Sequence, residues 1–193
     1  MSIFTRSLFT AALAATTLLT ACSDKNTDAP APADPTPIYR LTHFFHDPTT
    51  NTGSGTIYPS KDIKAEARLF PVVLALDFSA GPDAPHLEIY RSQLKPGWVG
   101  TYALRCRTRA TDPVFVSYSY QNNGGSRIYR FSDLTQTLTG DVTITAYDEK
   151  RQLLSGHFEV TAPDQRDPVS DAPEQKTTIL LTGDFSDMKV QVQ

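Results

Sequence analysis

From Ile38 onward the apolar positions recur mostly every second residue, and Thr, Val, Ile, Tyr and Phe dominate the runs between turns. That spacing is the period of a β-strand, whose successive side chains point to opposite faces. In the run Leu69 to Phe78, Phe70, Val72, Leu74, Leu76 and Phe78 share one face, while Leu69, Val73 and Ala75 occupy the other. Two apolar faces predict a central, covered strand, with Pro71 at its start or at an unpaired position because it has no N–H to donate.

Turn chemistry predicts two hairpins. Val114 to Tyr120 and Arg127 to Phe131 flank Gln121-Asn122-Asn123-Gly124-Gly125-Ser126, whose Asn and Gly residues tolerate positive φ. Asp141 to Tyr147 and Leu153 to Thr161 flank Asp148-Glu149-Lys150-Arg151, which sets Val142, Ile144 and Ala146 to meet Leu154, Phe158 and Val160. Further strands are predicted at Tyr39 to Phe45, Gly55 to Tyr58, His86 to Arg91, Thr101 to Thr108, Thr177 to Gly183 and Met188 to Val192. Only Ser60 to Arg68 has helical character, with Ser60 as a cap and Ile63 and Ala67 four apart. Residues 38–193 therefore predict an all-β domain of about eight to ten strands, an antiparallel β-sandwich or a barrel-like fold.

The first residues break this pattern. Met1 to Ser7 carry one positive charge, Arg6, and Leu8 to Leu19 form a 12-residue apolar stretch interrupted only by threonines. At about 1.5 Å per residue it spans about 18 Å, too short for a hydrocarbon layer of about 30 Å but right for a secretory signal peptide. Leu19-Thr20-Ala21-Cys22 resembles the lipobox of bacterial lipoproteins, which implies cleavage before Cys22 and acylation of its thiol and new amino group with fatty chains such as palmitate. Two or more chains hold a protein on a membrane, since each buried methylene adds about 0.8 kcal/mol. Ser23 resembles the residue class that permits release to the outer membrane in Gram-negative lipoproteins. Residues 1–21 are thus expected to be a lipoprotein signal peptide and residues 22–37 a lipidated Cys with a Pro/Ala-rich tether. Pro30, Pro32, Pro35 and Pro37 favour an extended chain of about 3.1 Å per residue.

Within the β-domain, Gly140-Asp141-Val142-Thr143-Ile144-Thr145-Ala146-Tyr147-Asp148, Leu154-Ser155-Gly156-His157-Phe158, Ile179 and Thr182-Gly183-Asp184-Phe185 carry a recognisable pattern. A strand ends in Tyr-Asp, a second opens on Ser-Gly-x-Phe, and a last contains Gly-x-Phe. Together with Leu87 to Leu104, this resembles a family of Gram-negative lipoproteins with an all-β C-terminal domain of unknown function, over about half of the chain. The resemblance implies a fold and no reaction. A Gly within a strand marks a bulge or a close approach, often covered by a neighbouring aromatic, and Gly156 and Gly183 beside Phe158 and Phe185 fit that.

Charge narrows the chemistry. Eighteen Lys and Arg against 21 Asp and Glu give a net −3, so there is no basic excess for phosphate neutralisation and nucleic acid is not an expected partner. With Cys22 committed to lipid, Cys106 has no intrachain partner and is expected to be a buried, inert thiol on the face of Tyr102 and Leu104. His43 and His46 lie three apart, on opposite faces of a strand, so they do not form a chelating pair, and the histidines are expected to face solvent. The acidic segment Asp164 to Glu174 lacks the one-three-five spacing of a calcium loop and is expected to be solvated. No metal or cofactor is expected. Nucleophile elbow, phosphate loop, His-Glu-x-x-His and Cys-x-x-Cys patterns are absent, and no catalytic residue is assigned.

Two binding surfaces remain as candidates. Arg105, Arg107 and Arg109 alternate along a predicted strand, so their guanidinium groups would stand about 6.6 Å apart on one face and could meet an anionic glycan or headgroup. Tyr118, Tyr120 and Tyr129 beside the Gly-rich turn could form an aromatic platform. The sequence therefore predicts a lipid-anchored module of the outer membrane, with its periplasmic face favoured, that binds an envelope protein or glycan. A barrel-type carrier of a small apolar ligand, lined by Phe70, Leu74 and Leu76, is the alternative, and an envelope hydrolase is a second alternative.

Overall fold

The alternating pattern is realised as eleven β-strands in the computed structural model, which describes residues 33–122 and 125–193. Cys22, the expected signal segment and most of the expected tether lie outside the described residues. The strands are β1 (Ile38–Asp47), β2 (Thr52–Tyr58), β3 (Lys64–Leu69), β4 (Val73–Ser79), β5 (Asp83–Tyr90), β6 (Gly100–Ala103), β7 (Val114–Asn122), β8 (Gly125–Tyr129), β9 (Thr139–Asp148), β10 (Leu153–Arg166) and β11 (Lys176–Val192). One short helix, α1 (Phe131–Leu134), follows β8. Among the described residues no helix is long and apolar enough to cross a membrane.

β11 organises the domain. Its first two-thirds pair with β1 on one side and β10 on the other, giving the order β2-β1-β11-β10-β9-β6. Its last three residues, Val190 to Val192, leave that half and run parallel to Ala67–Leu69 of β3, continuing into β3-β4-β5-β7-β8. The result is one mixed, unclosed sheet folded into two facing layers. The ring of Phe78 on β4 lies 5.1 Å from that of Phe158 on β10 and 6.0 Å from that of Phe185 on β11. The all-β expectation holds. The pairings between the described strands are antiparallel except one, where the 17-residue β11 crosses between layers and meets β3 running in its own direction.

Local corrections have physical causes. Leu69 to Phe78 is two strands: Phe70 donates its N–H to the Val73 carbonyl at 2.9 Å, and Pro71 sits in the resulting turn, where its missing donor costs nothing. Leu74, Leu76 and Phe78 are buried as the pattern requires, while Val72, at the tip, is 64% exposed. The helical spacing at Ser60 to Arg68 yields one turn of 3-10 helix and then β3. The segments 177–183 and 188–192 form a single strand, bent where Asp187 adopts a φ of 55° and β11 carries an extra residue against β10. Ala146 is exposed because Thr145 is an extra residue opposite the Ser155–Gly156 step, which turns Tyr147 instead toward Leu154.

The glycine reading is met by a reciprocal arrangement. Across β10 and β11, Gly156 faces Phe185 and Phe158 faces Gly183, so each ring lies over the other strand's glycine. A Cβ on Gly183 would fall 2.2 Å from Cε1 of Phe158, and one on Gly156 would fall 2.2 Å from the Thr143 carbonyl oxygen. Both rings are fully buried, and each contributes about 1.5–3 kcal/mol by leaving water.

Candidate functional site

The turn between β4 and β5 buries a carboxylate. Asp83 is 1% exposed, and its Oδ2 lies 2.7 Å from both His43 Nδ1 and the Tyr58 hydroxyl, while Oδ1 accepts the Tyr118 hydroxyl. His43 comes from β1 and Tyr58 from β2, in one layer; Asp83 on β5 and Tyr118 on β7 belong to the other. A carboxylate offers only acceptors, so Nδ1 is the donor in this pair. Burial first, and then the adjacent Asp83 carboxylate, hold the Tyr58 and Tyr118 phenols above their ordinary value of 10. His43 also stacks on Phe45 at 4.4 Å and meets the edge of Tyr120 at 6.1 Å.

The same geometry could hold a histidine base ready for catalysis, but no hydroxyl or thiol nucleophile bonds Nε2 among the described residues. The cluster ties the two layers together. It also corrects the expected solvent exposure of His43, which is 6% exposed. His43 and His46 do point to opposite faces, with His46 stacked on Phe44.

The two candidate surfaces are dispersed. Tyr118 is 1% and Tyr129 8% exposed; with Phe131 they form an interior stack, ring centroids 5.6–6.0 Å apart, because inward parity on paired strands packs rings against each other. Tyr120 is half-buried against Phe45. The arginines do not share a strand face, since β6 ends at Ala103 and residues 104–112 form bridges and turns. Arg105 reaches the Tyr90 hydroxyl at 3.3 Å, Arg107 is exposed, and Arg109 turns back onto the carbonyls of Leu104 and Leu138 and lies 3.4 Å from Asp112. Cys106 is 1% exposed and 3.3 Å from the Thr108 hydroxyl. Burial raises its thiol, but hydrogen bonds from Thr108 and Arg109 outweigh that and bring it down to about 7. In the acidic segment Asp167 is buried and caps a turn by accepting the Val169 N–H at 2.9 Å. Among the described residues no group of three or more His, Cys, Asp or Glu side chains could hold a metal ion.

A cleft of about 400 Å³ opens where the ends of β3 and β11 meet the β9–β10 turn, lined by Trp98, Tyr147, Arg91, Glu149 and Gln152 together with Leu69 and Val192. Its central residue is set by turn chemistry. Lys95-Pro96-Gly97-Trp98 is a type II turn, with Pro preset at the second position, Gly97 at φ 69° in the third, and the Trp98 N–H on the Lys95 carbonyl at 2.8 Å. Trp98 itself adopts a φ of 63°, a conformation rare for so bulky a residue. The buried Tyr102 holds it there, donating its hydroxyl to the Trp98 carbonyl at 2.7 Å and accepting the Lys95 N–H at 3.1 Å. The indole stacks on Tyr147 with centroids 3.8 Å apart and planes 8° from parallel, and the Tyr147 hydroxyl donates to Gln152 Oε1 at 2.9 Å. A left-handed Trp costs about 1–3 kcal/mol, and such strain concentrates at ligand sites. The sequence showed the turn but not its partner, because Tyr147 faces Trp98 only after the extra residue at Thr145.

Comparisons with protein-family models, curated proteins and solved structures found no match, so the site rests on its own geometry.

Proposed function

We propose that this chain is a lipid-anchored binding module of the cell envelope, held at the outer membrane through Cys22, and that the Trp98–Tyr147 cleft is its recognition site for a glycan. The observation that supports this reading is the fixed, strained Trp98 in a cleft of about 400 Å³. The size suits one or two sugar rings. A pyranose offers an apolar C–H face to an aromatic ring and a rim of hydroxyls to polar side chains. Trp98 and Tyr147 supply the first surface, and Arg91, Glu149 and Gln152 supply acceptors and donors at its edge.

The apolar-carrier reading has less support: Leu74 and Leu76 are fully buried in the packed interior, Phe70 is half-buried at the β3–β4 turn, and none of the three lines the Trp98 cleft. The experiment pairs two variants. Cys22→Ala is expected to leave the protein soluble and without lipid mass, and Trp98→Ala to abolish its co-sedimentation with purified cell-wall glycan. Membrane retention of Cys22→Ala would remove the anchor, and unchanged sedimentation of Trp98→Ala would remove the site.

A further inference from the structure

A second cleft, of about 350 Å³, lies at the opposite end of the β10–β11 hairpin, and we propose that it binds a phosphoryl group. Arg127, Arg130, Arg166 and Lys176 line it, against one lining carboxylate, Asp164. Four cations and one anion converge here although the whole chain carries a net −3.

The pairing of two of them is what folding alone does not explain. Arg166 and Lys176 stand directly opposite each other across β10 and β11. Like charges in that position destabilise a sheet. Neither side chain forms a hydrogen bond or ion pair with any described residue, whereas Arg130 pairs with Asp133, and Arg127 donates to the Asp167 carbonyl and lies 3.9 Å from Asp171. With Arg127 and Arg130 paired elsewhere, Arg166 and Lys176 against Asp164 leave the lining net positive, and the guanidinium fork suits the oxygens of a phosphoryl group.

The backbone beneath them is built and fixed. β10 carries an extra residue between Ala162 and Gln165, with Asp164 at φ 56°, and such bulges re-aim the side chains that follow. The Tyr129 hydroxyl donates to the Arg166 carbonyl at 3.0 Å, and Gln165 Nε2 donates to the Pro163 carbonyl at 2.7 Å and to the Thr135 hydroxyl at 3.3 Å. The described chain enters at the other end, where Asp34 pairs with Lys189 at 2.7 Å. The basic cleft shares no lining residue with the Trp98 cleft.

Titration of the purified full-length chain with inorganic phosphate, followed by NMR of the arginine and lysine side chains, tests this directly. Saturable shifts at Arg166 and Lys176 are expected, with affinity at least tenfold weaker in an Arg166→Gln/Lys176→Gln double variant and no response to acetate. The single variant Lys176→Gln should unfold at a urea concentration no lower than the parent, because it relieves repulsion. Vesicles with and without phosphatidic acid identify the source: binding that inorganic phosphate competes away assigns a lipid headgroup, and binding of soluble phosphate alone assigns a free phosphate ester. No saturable phosphate shift at 10 mM, an unchanged affinity in the double variant, or a loss of stability in Lys176→Gln would overturn the proposal.

Discussion

Asp83→Asn tests whether the buried carboxylate ties the two layers together. Asparagine keeps the shape but exchanges one acceptor oxygen for a donor amide, while three donors, from His43, Tyr58 and Tyr118, still point at the position. At least one of them then faces another donor. A buried donor left unsatisfied costs about 1–3 kcal/mol, and a hydrogen bond to a charged acceptor is worth about 1.5–3 kcal/mol. Tyr58 is only half-buried and can turn to water, so the loss falls mainly on the two hydrogen bonds from His43 and Tyr118, and a cost of about 3–5 kcal/mol is expected. With a urea slope of about 2 kcal/mol per molar, the unfolding midpoint falls by about 2 M. Trp98, the chain's only tryptophan, reports the transition through its fluorescence. Tyr118→Phe should cost about 1.5–3 kcal/mol alone and clearly less in the Asp83→Asn background, because the bond it removes is already lost. A midpoint within about 0.5 M of the parent, or strict additivity of the two changes, would refute the reasoning.

Three further outcomes follow from other contacts. Gly183→Ala places a methyl 2.2 Å from a Phe158 ring already pressed on Phe78, so it should destabilise by about 1–3 kcal/mol or more in urea unfolding, and adding Phe158→Leu should recover part of that loss. Asp77 lies 2.6 Å from His86 Nδ1 and 2.7 Å from Arg68. The hydrogen bond to Asp77 outweighs burial and raises His86 above 6.5; for Asp77, burial raises the carboxyl but the bonds from His86 and Arg68 win and lower it below 3.8. The His86 contribution to stability is then complete below 6.5 and lost as pH rises through the raised folded value, while the Asp77 contribution is present above 3.8 and lost as pH falls through the lowered one. NMR titration of Asp77→Asn should bring the His86 midpoint back down toward 6.5. Cys106, 1% exposed despite its lowered thiol, should react with a disulfide reagent many times more slowly in the native protein than in urea; equal rates would contradict its burial.

Local periodicity carried much of this fold. Val142, Ile144, Leu154 and Phe158 face the core as alternation requires, and the two hairpins pair as their turn residues predict. Where the pattern misled, a bulge or a turn had intervened: the extra residue at Thr145 exposed Ala146, and the turn at Phe70–Val72 split one apolar run into two strands. Gly156 and Gly183 were visible as glycines beside aromatics, but the register that places each ring over the opposite glycine is a property of two strands. The Asp83 cluster was not legible, because its partners lie 25, 35 and 40 residues away and none is unusual by itself. The alternation of Arg105, Arg107 and Arg109 looked like a face only while Thr101 to Thr108 was read as one strand.

Fluorescence of the single tryptophan during titration with a soluble disaccharide released from cell-wall glycan tests the proposed recognition site most directly, since Trp98 lines the cleft and no other indole contributes. The account predicts a saturable change in its emission that Gln152→Ala weakens several-fold while the variant still unfolds cooperatively in urea, well above the denaturant-free conditions of the titration. Emission that stays constant to millimolar sugar, or a response equally strong in Gln152→Ala, would contradict it.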